Sequence, residues 1–255
     1  MKECRIIAVA NHKGGVGKTT TVSCLGSILA MKGHRVLLMD LDPQANLTYS
    51  LAGDVEVPGI YEAMTGRASE LPIISVEPNL DLVPASESLH LIDIELSTAI
   101  GRERILSRLI RQQDFPSIYD YILFDCPPSM CLMTLNAFTS CTDIIIPLIA
   151  EVLPFNGLKE INKNIADVHD LLNPAAHITG ILITRWESSK LSRGIEDNLR
   201  DRLGDTVFRT KIRKNIRLAE APLENVNIVK YAPDSNGARD YQSFAEELLE
   251  TIKNR

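Results

Sequence analysis

The sequence predicts an α/β fold: a doubly wound, mostly parallel sheet with helices on both faces, in a single domain spanning residues 1–255. Three observations carry this. Short apolar runs recur along the chain with helix-period stretches between them,. Several runs are apolar at nearly every position and leave no wet face, as strands covered on both sides do,. A glycine-rich segment joins the first run to the first helical stretch. In order, strands are expected at Arg5 to Ala10, Val36 to Met39, Leu80 to Val83, Tyr121 to Phe124, Asp143 to Ile149 and Ile178 to Thr184. The first helix is expected from Lys18 to Lys32, stopped by Gly33, whose type suits a helix end. Further helices are expected near Ser86 to Arg111, Ser129 to Phe138, Asn156 to Leu172, Leu191 to Leu203 and Ala238 to Lys253. The last places Tyr241, Phe244, Ala245, Leu248 and Ile252 on one apolar stripe,. No linker, repeat or low-complexity segment divides the chain.

A chain of 255 residues with 45% apolar and 24% charged residues can bury a large core,. Its formal charge of -6 excludes a protein that coats nucleic acid with its whole surface, but permits a local basic patch,. The five cysteines are odd in number, form no C-x-x-C pair and mostly sit in apolar surroundings, which fits a reduced cytoplasm,. The opening Met1-Lys2-Glu3-Cys4-Arg5 leads into a short strand rather than a signal-peptide core. No run approaches the roughly 18 apolar residues of a membrane span. A cytoplasmic location is expected.

Chemistry concentrates first in His12-Lys13-Gly14-Gly15-Val16-Gly17-Lys18-Thr19-Thr20. It lies between a strand and a helix, the context of a nucleotide phosphate loop. Glycines allow backbone N–H groups to close around phosphate oxygens, and the helix adds the positive end of its dipole. Lys18 then reaches the β- and γ-phosphates and Thr19 offers a hydroxyl to Mg²⁺. A common P-loop has glycine where this chain has His12, and here a second lysine, Lys13, enters the loop. His12 is expected to shape the loop beside the phosphates.

In doubly wound sheets, ligands bind at the carboxyl ends of the strands. The second strand ends in Asp40-Leu41-Asp42-Pro43-Gln44 and a later one in Asp125-Cys126-Pro127-Pro128-Ser129. All three aspartates can face the phosphate loop, where Mg²⁺ needs a carboxylate, direct or through water, and the attacking water needs a polar group. Any one of them alone could be an ordinary turn residue. Thr19, Asp42 and Asp125 are the candidate metal-site residues.

On these three segments, together with Lys214-Asn215-Ile216-Arg217-Leu218-Ala219-Glu220-Ala221-Pro222 and the closing Gly237-Ala238 helix, the chain resembles the ParA/Soj family of deviant Walker A P-loop ATPases over its whole length. The P-loop variant alone is shared with MinD and the nitrogenase iron protein. The Asp-Pro-Gln and Leu-Ala-Glu-Ala-Pro pieces narrow the resemblance to ParA. It implies an ATPase with ATP and Mg²⁺ as ligands, an ATP-bound homodimer, non-specific DNA binding and a ParB-like DNA-binding partner that stimulates hydrolysis. It also implies a cytoplasmic, nucleoid-associated place in plasmid or chromosome partition. By that resemblance Lys13 crosses to the partner's nucleotide, Asp42 positions the attacking water, Asp125 holds Mg²⁺ from its second shell, and Asp40 supports them. With Lys18, Lys13 and Asp42 form the catalytic set, and the nucleotide is held by residues 13–20 with Asp125. Two departures stand out. The family often has Ile-Pro-Arg-Asn where this chain has Ile212-Arg213-Lys214-Asn215, leaving open which residues frame the base. The segment from Trp186 to Arg193 is one residue shorter than the family's, leaving Lys190 and Arg193 both candidates for its DNA-contacting arginine.

From Arg185 to Arg217 the chain carries ten Lys and Arg against five Asp and Glu. This local excess is either an electrostatic footprint for DNA phosphates or a solvated mixed-charge face. Lys190, Arg193, Arg213, Lys214 and Arg217 are the candidate DNA contacts. The closing helix is acidic on its polar side, unlike a tail that meets anionic lipid, so no stable membrane association is expected. Neither the histidines nor Cys126 and Cys131 show metal-site spacing. Alternatives with the same motifs are a ParA-like positioning ATPase for a protein cargo, a MinD-like spatial regulator, or a P-loop metabolic enzyme or electron donor.

Overall fold

The computed structural model describes residues 4–55, 58–150 and 154–254, the backbone alone at 154–157, so Met1, Lys2 and Glu3 lie outside it. Eight strands form one sheet: β1 (Arg5–Val9), β2 (Val36–Asp40), β3 (Ile74–Glu77), β4 (Leu80–Val83), β5 (Tyr121–Asp125), β6 (Asp143–Ile149), β7 (His177–Trp186) and β8 (Val207–Arg213). Their order is β3-β4-β2-β5-β1-β6-β7-β8. The β3–β4 pair is antiparallel and the others are parallel. All six expected strands are present.

Successive side chains of a strand point to opposite faces. Ile7, Val9 and Leu38 therefore join one core, with Val22, Leu25 and Leu29 of the helix Lys18–Met31 and Tyr241, Phe244 and Leu248 of the closing helix Asn236–Lys253. Ala8, Leu37, Met39 and Phe124 join the other, with Phe138 of the helix Leu132–Ser140, Leu106 of Ile105–Gln112 and Ile161 of Pro154–Leu171. The expected apolar stripe of the closing helix is buried along its length.

The single helix expected from Ser86 to Arg111 is replaced by several short pieces. A 3-10 turn Glu87–Leu91 leads to a short helix Ile92–Glu95. Gly101, at φ +67°, then starts a new turn at Arg102–Arg104 that runs into Ile105–Gln112. The break is fixed by Asn136, fully buried, whose side-chain amide donates to the carbonyl of Arg102 at 2.8 Å and whose oxygen accepts the amide of Leu106 at 3.0 Å. The helix expected at Ser129 begins instead at Leu132, where the side chain of Asp93 accepts the Leu132 amide.

β3 and β8 are strands that the sequence did not suggest. β3 has four residues. β8 reads Val-Phe-Arg-Thr-Lys-Ile-Arg, a polar-rich strand at the sheet edge. Side chains satisfy much of its backbone. Glu247 accepts the amides of Arg209 and Thr210 at 2.7 and 2.8 Å, and Asp240 accepts that of Arg213 at 2.9 Å. The Arg200 guanidinium reaches the carbonyls of Val207, Phe208 and Arg209.

Candidate nucleotide-binding site

Strand order builds the site. β5 lies between β2 and β1, with Asp125 in register with both Asp40 and Val9. The loop leaving β1 therefore emerges beside two strand ends that carry aspartates. It turns through Gly15 at φ +71° and Gly17 at φ +89°, left-handed conformations in which a side chain would be strained,. Gly17 caps the helix Lys18–Met31 without a side-chain hydrogen bond, leaving the first helical amides open to an anion,.

Two polar residues that the sequence did not single out hold the loop from outside. Asn11 donates its side-chain amide to the carbonyl of Pro147 on β6 at 2.7 Å and accepts the amide of Lys13 at 3.0 Å. The Thr184 hydroxyl, near the end of β7, donates to the carbonyl of Val16 at 2.7 Å. Both bridge segments more than a hundred residues apart, and no local pattern signals such contacts. His12 is half-buried against the helix Pro154–Leu171, near Glu160 and Asn164.

Lys18 is buried, its ammonium folded back 3.4 Å from the carbonyl of Lys13. Lys13 lies exposed. Lys18, Thr19, Thr20, Asp42 and Gln44 line a cleft of about 560 Å³ that runs on to Tyr49, Pro128, Leu223 and Ile228. A second cleft of about 520 Å³ opens from Gly15, Gly17 and Thr20 towards Thr184, Arg185, Arg213, Lys214, Asn215 and Ile216. The phosphate loop is shared by both.

The three aspartates have different surroundings. Asp42 lines the first cleft, and one of its oxygens accepts the amide of Gln44 at 3.0 Å. Asp40 is fully buried and bound by backbone and side-chain donors. Burial pushes its carboxyl up to about 6, against the pull of the Thr48 and Asp42 donors,. Burial and the neighbouring Asp40 charge push Asp125 well above the usual carboxylate range, while Thr19 and Lys18 pull the other way,.

Neither oxygen of Asp125 completes a hydrogen bond among the described residues. A buried carboxylate left so is costly, and a cation near Thr19 would relieve it. Among the described residues no cluster of three His, Cys, Asp or Glu could cage a metal. That donor set fits Mg²⁺, which is held by one or two carboxylates with water and phosphate oxygens supplying the rest.

The basic candidates divide. Arg213 is clamped by Asp240, with Nε and Nη2 at 2.9 and 2.5 Å from its oxygens, on the wall of the second cleft. Lys214 pairs with Glu187 at 2.6 Å and Arg217 with Glu220 at 2.8 Å. Lys190 and Arg193, exposed in the first turn of the helix Lys190–Leu203, meet no carboxylate among the described residues. The five cysteines are free, and all but Cys131 are buried. No described helix is long and apolar enough to cross a membrane.

Residues 4–178 match the family model described as an AAA domain. The chain is 38% identical over 250 residues to the sporulation initiation inhibitor protein Soj of Bacillus subtilis, covering 96% of this chain and 98% of that protein. It is also 38% identical over 250 residues to the chromosome-partitioning ATPase Soj of Thermus thermophilus, covering 98% and 97%. Among solved structures it resembles a Mycobacterium smegmatis protein described as cobyrinic acid a,c-diamide synthase with bound ATP analogue and magnesium. That likeness has a TM-score of 0.86 at 34% identity, over 99% of this chain and 97% of that one.

Proposed function

Because this chain belongs to the ParA/Soj family of P-loop ATPases, we propose that it is a DNA-partition ATPase that binds and hydrolyses ATP with Mg²⁺. The observation that carries this reading is the meeting of Lys18, Thr19, Asp42 and Asp125 around one open helix N-terminus.

The polyphosphate lies along the loop, on the amides of residues 14–20, with the Lys18 ammonium turned from the Lys13 carbonyl onto the β- and γ-phosphates,. The base enters the second cleft, between Thr184, Arg185 and the segment 213–216. The γ-phosphate end faces the first cleft, where Asp42 orients the attacking water,. Thr19, Asp42 and Asp125 are the residues that would hold Mg²⁺ beside the phosphates,. When bound, the cation neutralises developing phosphate charge.

Lys13 projects from the loop towards the nucleotide of a second copy, so that the ATP-bound form is a homodimer. That dimer binds DNA without sequence preference through Lys190 and Arg193, with Lys214, Arg217 and Arg213 as further contacts once their present partners release them. A ParB-like DNA-binding protein stimulates hydrolysis, and the protein works in the cytoplasm on the nucleoid. A MinD-like membrane role is less well supported, because the apolar stripe of the closing helix is already buried in the core. The substrate in the Mycobacterium smegmatis description remains that protein's. A purified chain tested with ATP, ADP and no nucleotide decides the matter: ATP-dependent dimerisation and retention on unrelated DNAs are expected, and a monomer indifferent to DNA in all three states overturns the reading.

A further inference from the structure

Asp40 belongs to the acidic cluster, yet it is fully buried and does not line the cleft that Asp42 lines. Its carboxylate is occupied inside the fold. One oxygen accepts both the amide and the hydroxyl of Thr48, each at 2.8 Å, and the other accepts the amide of Asp42 at 3.2 Å. The Thr48 hydroxyl in turn accepts the amide of Ala85 at 3.0 Å, two residues past the end of β4.

Thr48 is buried in the helix Asn46–Ala52, so one hydroxyl ties together the end of β2, that helix and the exit of β4. Its single proton goes to Asp40 and a lone pair receives Ala85, so donors and acceptors match. The turn between Asp40 and Thr48 carries Asp42 and Gln44, and Asp42 closes it by accepting the Gln44 amide. The Leu41 amide is held by the carbonyl of Asp125 at 3.0 Å, and beyond Leu41 the ties of the turn run through the Asp40 carboxylate or through Asp42 itself, which also accepts the Ala45 amide at 2.9 Å.

From this arrangement we propose that Thr48 is a positioning residue for ATP hydrolysis, its hydroxyl fixing the turn that aims Asp42 at the attacking water. The proposal rests on the ATPase reading above. A looser turn leaves ATP on the phosphate loop and misplaces the water, so the effect falls on kcat rather than on binding.

The test compares Thr48→Ser with Thr48→Ala, which both lose the methyl group while only the second loses the hydroxyl, and adds Thr48→Val. Steady-state ATP hydrolysis and amide hydrogen exchange are measured on the full chain. Thr48→Ser is expected to keep kcat within about twofold of wild type. Thr48→Ala and Thr48→Val are expected to lose about tenfold in kcat with KM for ATP within about twofold. Exchange at Asp42, Gln44 and Ala85 should accelerate in the two variants without the hydroxyl. Equal kcat in the Ser and Ala variants overturns the proposal, as does unchanged exchange at Asp42 and Gln44. Wild-type protein that turns over no ATP removes the ATPase reading instead, and exchange at those two amides still judges Thr48.

Discussion

Asp40 and Asp125 stand in register across β2 and β5, both buried, one tied to donors and the other with neither oxygen hydrogen-bonded among the described residues. Burial raises both, and the Asp40 charge raises Asp125 further,. Without a cation, the ionised site opposes folding.

The sign of the resulting pH dependence is fixed. An unfolded aspartate titrates near about 3.9, whereas Asp40 is raised to about 6 and Asp125 well above its usual range. Acids raised on folding give stability that is complete below about pH 4 and is lost as pH rises through the folded values. Asp125→Asn removes one charge and is expected to raise the melting temperature of nucleotide-free protein at pH 8 by about 2–4 °C, equivalent to about 1 kcal/mol. The difference should close towards pH 4. Thermal melts across that range, without Mg²⁺ or ATP, read it, and a difference that persists at pH 4 contradicts this origin.

Lys18→Ala and Asp42→Ala should separate binding from hydrolysis. Lys18 supplies a charge-assisted bond to phosphate, worth about 1.5–3 kcal/mol, so its loss weakens ATP binding by about ten- to a hundredfold. Asp42→Ala should bind ATP and accumulate as a dimer that does not turn over. Equilibrium binding and light scattering with ATP and Mg²⁺ distinguish them, and a monomeric Asp42→Ala protein saturated with ATP counts against the role given to Asp42.

Lys13 is exposed. Lys13→Ala is expected to keep ATP affinity within a few-fold and to lose the ATP-bound dimer. Sedimentation at saturating ATP checks this. Normal dimerisation of the variant would show that the second lysine serves only its own subunit.

For DNA, the cleanest substitutions are Lys190→Ala and Arg193→Ala, because neither side chain has a carboxylate partner among the described residues. Each phosphate contact contributes a salt-dependence slope of about -0.9, so one lost contact per subunit flattens the slope of a dimer by about 2. Affinity should fall alike on every sequence while ATP-driven dimerisation stays intact. Unchanged slopes for both variants in a salt titration would mark that helix turn as an ordinary solvated surface. Arg213→Glu is a poorer probe, since it places like charge against Asp240 and costs stability of its own,.

The central sheet was legible because strands buried on both faces cannot avoid continuous apolar runs, and the phosphate loop because its backbone demands glycine. Four aspects were not legible. β8 carries Arg209, Lys211 and Arg213, and its polar pattern belongs to an edge. The stretch from Ser86 to Arg111 has helical composition, and only Asn136, distant in sequence, divides it. Asn11, Thr48 and Thr184 act through contacts with residues between 37 and 168 positions away. The basic excess counted charges and could not see that Arg213, Lys214 and Arg217 have carboxylate partners.

The side-chain ties along β8 also bear on how many copies can share a small volume. An open edge strand offers unpaired amides and carbonyls on which another chain can add a strand. Here Glu247 and Asp240 hold three of those amides, while Arg200 holds the carbonyls of Val207, Phe208 and Arg209. The edge offers little template for growth, so molecules crowded side by side at high local concentration can separate again rather than fuse into fibres.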